Sequence, residues 1–110
     1  MYKLKISPEA KDDLVEIKSY ISQDLCNQQA AENLVSKIIN KISGLSDHPG
    51  IGAPLSSVVD INTDYRFLVC ANYLIFYRCE DEIVFVSRIL YGKRDYTHIL
   101  FADLSVDEED

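Results

Sequence analysis

Residues 2–6 alternate strictly, with Tyr2, Leu4 and Ile6 on one side and Lys3 and Lys5 on the other. A period of two predicts a half-buried strand, and the lysines suit an exposed sheet edge. Ser7-Pro8-Glu9 then reads as a helix start. Serine can accept from free backbone N–H groups, and proline fits the first helical position because its missing N–H is not needed there. Ala10, Leu14, Ile17 and Ile21 follow at helical spacing and predict one buried stripe, with Val15 off it. Residues 24–27 break the pattern. A second stripe begins after Gln28: Ala31, Val35, Ile38, Ile42 and Leu45, with Leu34 beside it. Two amphipathic helices joined this closely predict an antiparallel hairpin.

Pro49, Gly50, Gly52 and Pro54 punctuate the longest non-periodic stretch, residues 46–64, which predicts an ordered surface loop. Three β-rich runs follow at 65–70, 73–79 and 83–91. The gaps between them fit only hairpins, so they predict an antiparallel meander. Residues 97–101 suit a short helix, and residues 104–110 carry too little apolar surface to offset their ordering entropy. The order is β-α-α-β-β-β. Because helices and strands are segregated, the expected class is α+β, an antiparallel sheet packed against an N-terminal helical hairpin.

Charge sharpens this outline. The chain of 110 residues has a net charge of −7, but residues 103–110 hold five acids and no base. Residues 1–102 carry 11 bases and 13 acids, and within 65–100 five bases face four acids. An acidic total argues against general nucleic-acid affinity, and no direct sequence-specific DNA binding is expected. No run approaches a membrane span. Cys26, Cys70 and Cys79 have neither disulfide nor zinc spacing and read as reduced thiols of a cytoplasmic protein. His48 and His98 lack a Cys/Asp cluster, so no metal and no cofactor is expected. Ser56-Ser57 has no nucleophile context, and Gly50-Ile51-Gly52 opens no helix, so it is not a phosphate loop.

One cluster stands out. Arg88, Lys93 and Arg94 fall within seven residues at the end of the last run, with Tyr91 and Tyr96 beside them and Arg66 opposite if the register allows. Strict alternation places Arg66 with Leu68 and Cys70, Arg78 with Leu74 and Phe76, and Arg88 with Val84, Val86 and Leu90. The cluster suits phosphates or an acidic protein partner. From residue types alone a solvated strand end, with Lys93 or Arg94 paired to Asp95 or a meander carboxylate, is the favoured reading.

An ordered series of motifs goes further: Ser7-Pro8-Glu9-Ala10, Asp13-Leu14, Tyr20-Ile21, Ala30-Ala31, Leu45 with His48-Pro49 and Gly52, Tyr65-Arg66, Tyr73 with Ile75-Phe76-Tyr77-Arg78, and Arg88-Ile89-Leu90-Tyr91-Gly92-Lys93-Arg94-Asp95-Tyr96. Together they resemble the RelE/ParE superfamily, the toxins of type II toxin–antitoxin modules once called plasmid stabilisation proteins. The resemblance spans residues 2–101 and is most specific over 65–96. It implies a toxin domain over 1–102, followed by an acidic tail at 103–110.

It also implies a site at the end of the last strand and a choice of target. ParE-like members block DNA gyrase and need no hydrolytic groups. RelE-like members cut messenger RNA in the ribosome without a metal, using bases to hold the phosphate and a C-terminal tyrosine or histidine to move a proton. For that endoribonuclease the candidates are Arg66, Arg88, Lys93, Arg94 and Tyr96. For a protein target they are Arg88, Tyr91, Lys93, Arg94 and Tyr96. RelE has an arginine where this chain has Leu74, and its catalytic tyrosine aligns near Leu100. An ordinary tyrosine, with a pKa of about 10, is a poor base at neutral pH. The wording is therefore closer to ParE. The family further implies a cognate antitoxin whose C-terminal segment folds onto the domain, with Val15, Ile99, Leu100 and Phe101 as landing points. A remnant that binds its antitoxin without being toxic is the remaining alternative.

Overall fold

The last strand lies near one side of the sheet, with the first strand outside it. In the computed structural model, which describes residues 1–101, the sheet has five strands in the order β1-β5-β4-β3-β2. They are β1 (Lys3–Ile6), β2 (Ala53–Pro54), β3 (Arg66–Cys70), β4 (Tyr73–Glu80) and β5 (Ile83–Tyr91). The helices are α1 (Pro8–Ser19), α2 (Gln28–Gly44) and α3 (Tyr96–Leu100). The α+β class and the hairpin-on-sheet packing are as expected. The tail expected at 103–110 lies outside the described residues.

Local chemistry explains the elements. The Ser7 side chain accepts from the Ala10 N–H at 3.0 Å and caps α1, with Pro8 at its first position. Asn27 caps α2 in the same way, accepting from Ala30. Asp81 and Glu82 both take positive φ, as the two-residue turn joining β4 to β5 requires. The β3–β4–β5 meander is antiparallel. β1, however, pairs parallel to β5. The connection between them runs through the helical hairpin and then β2 to β4, far longer than the dozen or so residues a parallel pair needs.

Helices and sheet meet on one face. Ala10, Ile17, Ile38 and Ile42 pack there against Ile75, Tyr77 and other inward residues. The second face carries a smaller core of its own. Phe76 and Leu90 are buried under Leu55 and the α3 segment, including Tyr96, Ile99, Leu100 and Phe101. Two of the expected face assignments hold: Arg66 lies on the helix side with Leu68 and Cys70, and Arg78 on the opposite side with Leu74 and Phe76. The third does not. A bulge at Ser87 shifts the β4–β5 register between Phe76 and Tyr77. Val84 and Val86 therefore face the helices while Leu90 joins the other core, and Arg88 cannot share a face with all three.

The loop at 46–64 is ordered around Tyr77. The buried Tyr77 hydroxyl donates to the Pro49 carbonyl at 2.7 Å and accepts from the Gly52 N–H at 2.9 Å. Burial raises its pKa above the ordinary value, with the Gly52 hydrogen bond and Arg66 opposing. A Cβ on Gly52 would stand 2.6 Å from that hydroxyl and 2.7 Å from the Phe67 carbonyl oxygen. Gly52→Ala should therefore destabilise the fold by about 3 kcal/mol through overpacking, read as a lower urea midpoint. A loss below about 1 kcal/mol would mean that the loop is not pinned there.

Candidate functional site

The two arginines that open the expected cluster serve the fold. Beyond Ile6 the edge of β5 has lost its strand partner, and α1 takes over. Ser7 donates its backbone N–H to the Val86 carbonyl and its hydroxyl to the Ser87 carbonyl, at 2.9 and 2.7 Å. The buried carboxylate of Asp13 then accepts from the Ile89 N–H at 2.9 Å and from two Arg88 nitrogens at 2.8 and 2.9 Å. The hydrogen bonds that Arg88 donates to Asp13 raise its pKa further, against a smaller opposing effect of burial. This is the ion pair found among the described residues. In the sequence Asp13 stood out only as part of the Asp13-Leu14 motif. Nothing there announced a carboxylate reaching a strand edge 75 residues away.

Arg66 is held as well, donating to the Gly52 carbonyl at 2.7 Å. It lies at the end of β3 away from the 71–72 turn, so it does not face Tyr91. Tyr96 turns to the second face, its ring 5.2 Å from that of Phe76. Ile99, Leu100 and Phe101 pack on the same core, with Phe101 edge-on to Tyr65. Arg88, Arg66 and Tyr96 are therefore not gathered with Lys93 and Arg94, and the apolar end of α3 is used in domain packing.

A smaller group does converge at the end of β5. Tyr91 and Tyr73 meet edge to face with centroids 5.7 Å apart. With Tyr20, Leu25, Leu34 and Arg94 they line a cleft of about 680 Å³ between the sheet end and the tip of the helical hairpin. Burial raises the pKa of Tyr73 above its ordinary value, and neighbouring Tyr20 and Tyr91 add to it. Lys93 turns to a separate hollow with Val69, Asn72 and Leu74. Neither Lys93 nor Arg94 has an ion-pair partner among the described residues. Asp95, the expected partner, instead caps α3 by accepting from the His98 N–H.

Tyr20, Leu25 and Tyr73 are the members that sequence reading missed. Tyr73 is placed by the start of β4 opposite Tyr91, whereas Tyr20 and Leu25 sit on a π-helical turn at Tyr20–Asp24, where Leu25 N–H bonds to the Tyr20 carbonyl and Cys26 follows at a positive φ of 52°. Tyr20 and Leu25 are 50% and 56% exposed, and Val15, further along α1, is 67% exposed. The site thus combines aromatic faces, an apolar floor and free cations. Such a surface binds a protein segment well, because tyrosine and arginine carry much of the energy of protein interfaces.

Solved structures share this architecture. A chain of the chromosomal ParDE toxin–antitoxin system from P. aeruginosa superposes with a TM-score of 0.71 at 22% identity, covering 84% of this chain and 98% of that one. The isolated E. coli RelE toxin gives 0.54 at 16% identity, covering 94% and 97%. YafQ from E. coli strain BL21(DE3) gives 0.51 at 14% identity, covering 92% and 99%. No curated protein sequence matches significantly. The fold is thus shared with all three chains. The chain matches the family of the ParE toxin of the type II toxin–antitoxin system parDE over residues 4–96, and it belongs to that family.

Proposed function

We propose that this chain acts on DNA gyrase in the cytoplasm and is neutralised by a cognate antitoxin. The observation that carries the choice of target is the make-up of the cleft. Tyr73 and Tyr91 meet edge to face beside Arg94, and burial raises the Tyr73 pKa, which keeps its hydroxyl protonated and unavailable as a base at neutral pH. Leu74, next to Tyr73, packs into the second core. Arg66 and Arg88, which could hold a phosphate, are committed to a loop carbonyl and to Asp13. Recognition of a protein needs none of these groups to move a proton. The exposed apolar side chains of Val15, Tyr20 and Leu25 offer the antitoxin separate contact points on the helical hairpin. Among the described residues no helix is long and apolar enough to cross a membrane.

The test has two arms. Purified chain added to gyrase should block supercoiling of relaxed plasmid, and the antitoxin should restore it. In cells induced for the chain alone, DNA synthesis should fall before protein synthesis. If translation falls first, with messages cut at defined codons, the chain is a ribosome-dependent endoribonuclease. If growth is unaffected by a folded chain that binds its antitoxin, it is a non-toxic remnant.

A further inference from the structure

The second sheet face is covered unevenly. α3 and Leu55 lie over Phe76 and Leu90. Toward the β1 edge the same face carries a cross-strand row, Lys5 beside Phe85 and Phe85 beside Arg78. Each of the three alternates with neighbours that face the helices, which turns it to the opposite side. With Tyr65 and Ser87 the row lines a hollow of about 360 Å³. The next row, Lys3, Ile83 and Glu80, balances one cation with one acid. The Lys5–Phe85–Arg78 row has two cations and no acid. Among the described residues neither cation has an ion-pair partner.

The chain leaves the described residues at the rim of this hollow. Phe101 stands edge-on to Tyr65 with centroids 5.8 Å apart, and Tyr65 lines the hollow. Residues 102–110 start there, with five acids, no base and two alternating apolar side chains, Leu104 and Val106. Fully extended, this length reaches about 30 Å. That is ample to cross β4, β5 and β1, since neighbouring strands lie about 4.8 Å apart.

We propose that the Lys5–Phe85–Arg78 row is a docking surface for an acidic segment, and that its occupant is this chain's own residues 102–110. In an extended segment Leu104 and Val106 turn to one side, toward Phe85 and Tyr65, while the carboxylates reach the flanking cations. Composition alone argues against order in this segment, because a free peptide would lose too much entropy. Tethering changes the balance. Attachment at Phe101 holds the acids at an effective concentration in the millimolar range, where weak contacts are populated. The docked segment extends the cover of α3 to the β1 edge. It leaves the Tyr91 cleft as the open end of the sheet.

The experiment uses full-length ¹⁵N-labelled chain from cell-free synthesis, compared by NMR with a variant whose five tail acids are changed to Asn or Gln. The folded domain is untouched by those changes. At about 20 mM salt the amides of Lys5, Arg78 and Phe85 should differ between the two, and heteronuclear NOEs over 103–107 should be higher in the natural chain. At about 0.5 M salt both differences should collapse. Lys5→Glu with Arg78→Glu should abolish them at low salt. A synthetic peptide of residues 102–110 added to the neutralised variant should restore the same shifts at millimolar concentration. Identical spectra at low salt would overturn the proposal. So would shifts confined to Tyr91–Arg94, which would put the tail at the other end, or shifts that grow with protein concentration, which would make the occupant a second copy.

Discussion

Replacing Asp13 with alanine should cost the protein about 3 kcal/mol of folding stability, the largest loss expected from any single polar substitution among the described residues. The carboxylate is buried and takes three hydrogen bonds, two from Arg88 and one from the Ile89 N–H. Without it the strand N–H has no partner and the guanidinium loses its counter-charge. Arg88 keeps 26% of its side-chain surface exposed, so water recovers part of the loss and the cost stays at the low end for a broken buried pair. Urea denaturation with unchanged m-value would measure it. Arg88→Lys should rescue little, since an ammonium cannot reproduce the two parallel bonds. A double-mutant cycle should return a coupling above about 1 kcal/mol. A cost for Asp13→Ala below about 1 kcal/mol would show that water satisfies the β5 edge without it.

Arg94→Glu should leave stability within about 0.5 kcal/mol of the natural chain, because the side chain is exposed and makes no packed contact that the fold needs. It should weaken inhibition of the proposed target by about 100-fold or more, as reversing the charge of a hot-spot arginine does. Tyr91→Ala should act in the same direction, with a larger stability cost through its lost stacking on Tyr73. Growth inhibition on induction and half-inhibition of gyrase supercoiling are the readouts, with thermal unfolding as the control. The contrast with Arg88 is the informative part. Any toxicity lost on Arg88→Ala should follow the loss of folded protein, whereas Arg94→Glu should remove activity from a folded chain. Full toxicity of Arg94→Glu would exclude the Tyr91 cleft as the contact surface.

Much of the architecture was readable along the chain. Periods of 3.6 and 2 are imposed by helix and strand geometry, so the stripes of Ala10–Ile17 and Ala31–Leu45 and the meander at 65–91 could be placed before any contact was known. Ser7-Pro8 announced a helix start through donor chemistry alone. The ordered motifs pointed to the family, and the end of the last strand falls at Tyr91, just before Lys93 and Arg94, as its β-rich run predicted.

Tertiary structure decided the rest, because it depended on who meets whom. A single-residue bulge at Ser87 reverses the alternation that follows it, and periodicity cannot register one inserted residue. The parallel entry of β1 beside β5 left a strand edge uncovered after Ile6, and only that geometry gives Asp13 and Arg88 their roles. The loop carbonyl that holds Arg66 and the Phe76 ring that holds Tyr96 are equally non-local partners. The sequence by itself determined which helix faces turn inward and that Lys93 and Arg94 follow the end of the last strand, since local backbone geometry and chain order dictate both. Which of those cations remain free to bind was settled by partners far along the chain: a charge is taken up or left available only by what folds against it.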